Sequence, residues 1–165
     1  MKIAVVLPPS KDRFTNAYMP LGYGIITAAL KNNGYDTTQE NMQLKGKLYN
    51  IKSDKGLDLD KFTLNRSSNY LEKGSDDDLE LELKKIEKLG NLSKYDVLCF
   101  SILHYRNLEI CLPLIKYIKD RYPEKTVIIG GSFLNREGYG TKLSNLPFID
   151  HVIAGNGERS LLALL

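Results

Sequence analysis

The chain has 165 residues, enough for one domain with a sizeable core and short for two. Hydrophobic residues make up 42% and charged residues 26%, which excludes a disordered or membrane-embedded class. The formal net charge of +3 comes with no Lys/Arg cluster and does not point to nucleic acid, and no run approaches the ~18 apolar residues of a membrane span.

The opening MKIAVVLPP carries a five-residue apolar run, too short for a signal peptide, and reads as a strand over 2–7 closed by Pro8 and Pro9. A polar loop, SKDRFTNAYMP, leads to a helix from about Pro20, a good first-turn residue. Ile25, Ile26, Ala29 and Leu30 are its expected buried face, with Gly34 as its cap. YDTTQE is a short second strand. Residues 42–75 have weak periodicity and scattered Gly, Ser and Asn, and read as an insertion with little regular structure. A helix follows. Ser75 is the expected N-cap, Asp76–Asp78 favour its positive end, and Leu79, Leu83, Ile86 and Leu89 make the expected apolar stripe.

Strand three spans 96–101, and a helix runs from about Asn107 to Arg121 with Leu108, Cys111, Leu112 and Ile115 on one face. Strand four spans 126–129 and ends at Gly130-Gly131. A loop with room for a short helix covers 134–145, strand five spans 150–154, and a last helix starts near Glu158. Strands one, three and four are near-continuous apolar runs alternating with helices, which is the pattern of parallel strands covered on both faces. The expected fold class is α/β: a doubly wound five-stranded parallel sheet, flavodoxin-like (Rossmann-type), in one domain spanning 1–165. The final GERSLLALL reads as a helix entering its second turn, so a fragment of a longer protein is expected. Cys99 in mid-strand and Cys111 on a helix face are expected to be buried free thiols, which suits a reducing cytoplasm. With two histidines and no C-x-x-C, a dedicated zinc site is not expected.

In such sheets ligands bind at the carboxyl ends of the strands, where the winding reverses. Three common occupants fit poorly. A dinucleotide needs G-x-G-x-x-G after strand one, where this chain has LPPSKDRF. A flavodoxin-like phosphate loop finds Ser10 and Thr15, but no glycine before Gly22. A phospho-receiver needs an Asp at the end of strand three, which ends instead in Phe100-Ser101. What the chain offers is small residues at three strand ends: Ser101-Ile102-Leu103, then Gly130, Gly131 and Ser132, then Gly155, Gly157 and Glu158. Glycines there let a ligand approach the backbone, and a serine hydroxyl can donate to an aromatic nitrogen. A slot for a long, flat ligand tail is the expectation. Each residue also has a plainer role. Ser101 can bond its own backbone, a Gly pair can be a turn, Glu158 can cap a helix, and His151 can be structural.

S-x-L after strand three, with residues 104–129 between Leu103 and the Gly pair, resembles the cobalamin-binding domain. In that family the slot holds the nucleotide tail of cobalamin. The resemblance implies that Ser101 lies near the dimethylbenzimidazole and that Gly130 and Gly131 let the tail pass. The family's D-x-H-x-x-G, whose His ligates cobalt, is not matched: Asp12 is present, but Phe14 stands where His would be and no Gly follows in place. The chain is more similar to the histidine-lacking variant found in front of radical SAM enzymes. MPLGYGIITAALKNNGYD and IIGGSFLN…LPFIDHVIAGNGERSLLAL resemble segments of that subfamily, with Asn156 where Glu is usual. The likeness covers about 1–40 and 94–165.

The resemblance implies a corrinoid carrier with no catalysis of its own. It implies a downstream radical SAM domain of the same chain as partner, and neither nucleic acid nor a membrane is an expected partner. S-adenosylmethionine and an iron–sulfur cluster belong only to that missing domain, which would be methyltransferase-like. Pro9, His104 and Tyr105, in the loops after strands one and three, would cup the corrin, with Arg13 and Arg106 as further contacts to its amides or phosphate. Cobalt would carry no protein His. Two alternatives stay open: a non-catalytic α/β interaction module using 42–75, and a flavin or nucleotide binder in the same crevice.

Overall fold

The computed structural model describes residues 1–9, 20–42, 76–136 and 138–165, apart from the side chains of residues 76–79, 82 and 106. The described elements are β1 (Lys2–Leu7), α1 (Leu21–Asn32), β2 (Asp36–Asn41), α2 (Asp76–Gly90), β3 (Val97–Ser101), α3 (Tyr105–Arg121), β4 (Thr126–Gly130), α4 (Tyr139–Ser144), β5 (His151–Val152) and α5 (Gly157–Leu164). Single 3-10 turns cover Leu92–Lys94 and Ser132–Asn135. The five strands are all parallel, in the order β2-β1-β3-β4-β5. That is the flavodoxin-like order, with its switch point between β1 and β3.

Alternation along the strands divides the core in two. Ile3, Val5 and Leu7 of β1, Val97 and Cys99 of β3, and Ile128 of β4 face α1 and α5. Ala4, Val6, Leu98, Phe100, Val127 and Ile129 face α2, α3 and α4. Each central strand is therefore apolar on both sides, as parallel strands between two helical layers must be. The edge strand β2 is polar in sequence, yet Glu40 is only 3% exposed. Its carboxylate accepts the Tyr95 hydroxyl and lies 3.6 Å from Lys94 Nζ, which satisfies the buried charge. Burial, then the bond to Glu40, pushes the Tyr95 hydroxyl above its usual range.

Several local expectations shift. In α1 the buried residues are Tyr23, Thr27 and Leu30, while Ile25 is 40% exposed. The helix does close as expected at Gly34: its N–H bonds the Lys31 carbonyl, and the Tyr35 N–H bonds the Leu30 carbonyl. In α2, Leu83 and Ile86 are buried, but Leu89 is 39% exposed. Glu87 turns inward in its place, because its carboxylate accepts the Ser93 N–H at 3.0 Å. Helix α3 starts at Tyr105 rather than Asn107, with His104 in the extended N-cap position and its carbonyl accepting the Asn107 N–H. Leu108, Cys111, Leu112 and Ile115 are all fully buried on it.

Strand β5 is shorter than the expected 150–154. Its flanks still bond to β4, through Asp150 N–H to the Val127 carbonyl and Ile153 N–H to the Ile129 carbonyl. The expected insertion lies outside the described residues from 43 to 75, as does the Ser75 cap. Met42, at its start, is a core residue. His151 is exposed at the sheet edge. No helix among the described residues is long and apolar enough to cross a membrane.

Candidate functional site

The strand register builds the site from the floor up. Val5 pairs with Cys99, and Cys99 with Ile128, so three side chains form one row across the face toward α1 and α5. Two residues further toward the strand ends, on the same face, Ser101 pairs with Gly130. The first row is bulky and apolar; the second has one hydroxyl and one missing side chain. Tyr23 and Ile26 of α1 and Leu161 of α5 face these rows. The space left between them is a cavity of about 420 Å³. That lies in the ~300–1,000 Å³ range usual for small-molecule pockets.

The cavity is graded. At depth, Val5 and Ile128 are each 2% exposed and Cys99 is 7% exposed. Burial pushes the Cys99 thiol up to about 12, so the floor carries no charge at neutral pH. At the mouth stand Ser101, Ser132, Asn135, Asn156 and Glu158, all half-buried or exposed. Among the described residues of the lining, Glu158 is the one charged side chain, and there is no Lys, Arg or His. Glu158 sits in the first turn of α5, where the helix dipole favours a carboxylate.

Of the residues singled out from the sequence, Ser101, Leu103, Gly130, Gly131, Ser132, Gly155, Gly157 and Glu158 line this cavity together. Pro9, His104 and Tyr105 do not line it. Pro9 is buried, and its carbonyl accepts Asn107 Nδ2 at 3.2 Å, tying the end of β1 to α3. His104 occupies the N-cap position of α3 through its backbone. Tyr105 leaves for the opposite face, where its ring lies 6.3 Å from that of Phe133. Burial first, then Glu109 and Tyr139, pushes its hydroxyl up to about 12. The cause is topological: α3 covers the face away from the cavity, so its first residues turn from the slot. Asp12, Arg13 and Phe14 lie outside the described residues, and the Arg106 side chain is not described.

The glycines divide by role. At Gly131, φ is +117° and a Cβ would lie 2.2 Å from the Ile102 carbonyl oxygen. The protein's own backbone, not a ligand, requires that glycine. At Gly157 a Cβ would lie 2.9 Å from Ile26 Cδ1, so this glycine lets α5 close on α1. At Gly130 the nearest atom to a Cβ is the Ile153 oxygen at 3.5 Å, an ordinary contact. Gly130 is therefore the member of the pair whose missing side chain opens the wall.

Sequence reasoning missed Tyr23, Ile26 and Asn135. Asn135 ends the 3-10 turn after β4, and its Oδ1 accepts the Gly155 N–H at 2.7 Å, joining two lips of the mouth. Comparison with protein-family models, with curated proteins and with solved structures finds no match for this chain.

Proposed function

We propose that this chain is a cobalamin-binding module that takes the nucleotide tail of the cofactor into the cavity between the sheet and helices α1 and α5. The observation that carries the reading is the graded lining. An apolar row at depth suits a neutral aromatic base, and hydroxyl, amide and carboxylate groups at the mouth suit a ribose. Ser101 stands between the two zones, where its hydroxyl can donate to a ring nitrogen. The corrin itself would lie outside the mouth, against the strand-end loops. The similarity of the S-x-L, Gly-Gly and GNGE segments to the histidine-lacking cobalamin domains adds to this reading.

When bound, cobalamin supplies methyl-transfer or radical chemistry. The residues of this chain bind and orient it and exclude water from its base. Catalysis is assigned to a radical SAM domain following in the same chain, methyltransferase-like, with S-adenosylmethionine and an iron–sulfur cluster held there. Two buried free thiols, Cys99 and Cys111, suit a cytoplasmic setting.

The test is a visible-absorption titration of the purified chain with hydroxocobalamin, followed by desalting. Retained cobalamin, lost in Gly130→Val, is the expected result. Gly130 is the informative position, because a side chain at Gly131 would collide with the backbone of Ile102. A chain that holds flavin, or one that returns colourless from cobalamin, would sink the reading.

A further inference from the structure

Two buried side-chain polar atoms lack a hydrogen-bond partner among the described residues, Tyr23 Oη and Asn107 Oδ1. Asn107 lies outside the cavity lining, whereas Tyr23 is part of it and is 1% exposed. A buried hydroxyl without a partner costs stability, and native proteins keep few of them. Tyr95, buried on the other side of the sheet, shows the satisfied case: its hydroxyl donates to the Glu40 carboxylate. The backbone that carries the Tyr23 ring is fixed. Its N–H bonds the Pro20 carbonyl at 3.1 Å, and its own carbonyl accepts Thr27 Oγ1 at 2.9 Å and Gln39 Nε2 at 3.4 Å. Burial first, then Glu40 and Tyr95, raises the Tyr23 hydroxyl above its usual range, so at neutral pH it keeps a proton to donate.

We infer that Tyr23 is a ligand-binding residue of the cavity, its hydroxyl donating to an acceptor atom of the bound molecule from the α1 wall while Ser101 meets it from the sheet. The inference rests on reading the cavity as the site of the cobalamin tail and deepens it. The tail offers acceptors of the right kind in its ring nitrogen and its sugar and phosphate oxygens. Binding then supplies the hydrogen bond that the empty protein leaves unmade, so a hydroxyl that weakens the fold strengthens the complex.

The experiment is Tyr23→Phe in the whole chain, with Tyr95→Phe beside it, read by thermal unfolding without ligand and by equilibrium titration with hydroxocobalamin and with FMN. Two opposite signs are expected for Tyr23→Phe: an unfolding midpoint about 2–4 °C higher and cobalamin affinity about fivefold weaker or more. Tyr95→Phe loses a bond already made, so its midpoint should fall and its affinity should hold. A lower midpoint in Tyr23→Phe would mean that a protein group already takes the hydroxyl, and overturns the inference. Unchanged cobalamin affinity in that variant overturns it too, and leaves cobalamin binding standing. If the chain binds FMN and not cobalamin, and Tyr23→Phe loosens the FMN, the role of Tyr23 holds and the corrinoid reading falls. If FMN alone binds and the variant holds it equally, or if neither compound binds, both fall.

Discussion

The two faces of the sheet are made by the same strands and are finished differently. On the α2/α3 side, Leu98, Phe100, Ile102, Leu112 and Ile115 interlock with 0–1% exposure. On the α1/α5 side, packing is complete near the start of the strands, at Ile3 and Val97, and opens into a cavity toward their ends. The difference lies in residue size. After Phe100 and Ile129, which fill one face, come Ser101 and Gly130, which fail to fill the other. The crevice is thus an unfinished core, placed where the strands stop and the small residues begin.

The largest effect that sharpens this contrast is expected on the filled side. Leu112→Ala should cost about 2–5 kcal/mol, because a fully buried leucine leaves a void that rigid neighbours cannot close. Denaturant unfolding would measure it, and a cost well below this range would mean that the filled face is not tightly packed. Next comes the glycine pair. Gly131→Ala should lose about 3 kcal/mol from positive φ and collision with Ile102, whereas Gly130→Ala should lose about 1 kcal/mol or less. Equal losses at the two positions would erase their division of labour.

A smaller, pH-dependent effect tests the thiols on either side. Burial raises Cys99 to about 12 and Cys111 well above its usual range. An acid whose folded pKa is raised lends its stability in full below its unfolded pKa, about 8.5 for cysteine, and loses it as pH rises toward the folded value. The unfolding midpoint should therefore begin to fall above about pH 8.5. The double variant Cys99→Ala, Cys111→Ala should flatten the slope between there and the onset of tyrosine ionisation near pH 10. The smallest effect is Asn135→Ala. Losing the bond to the Gly155 N–H should cost about 0.5–1.5 kcal/mol and loosen the mouth without altering the floor. Raised exchange of the Gly155 amide would register it.

The sequence carried the sheet plainly, because Val97–Phe100 and Val127–Ile129 are continuous apolar runs with no other way to be buried. It carried most of the slot as well, since Ser101 and the Gly pair end adjacent strands. It did not carry the phase of α1. Leu21–Leu30 is apolar almost throughout, so periodicity could not tell that Tyr23 turns inward and Ile25 outward. Asn135 was illegible for another reason: its partner is a backbone N–H twenty residues away, and backbone groups leave no mark in a sequence. His104 and Tyr105 fall outside the cavity lining because residues read as a loop facing the crevice are the N-cap and first turn of a helix on the far layer.

The Ile102 peptide has a consequence for time rather than space. Its N–H bonds the Gly130 carbonyl at 2.7 Å, and its carbonyl accepts the Phe133 N–H at 3.2 Å. These bonds carry the β3–β4 ladder past the strand ends and into the rim of the cavity. Amides in loops ordinarily exchange with solvent through small local openings. Those of Ile102 and Phe133 should instead exchange as slowly as the central strands, so that the rim melts only when the whole sheet does.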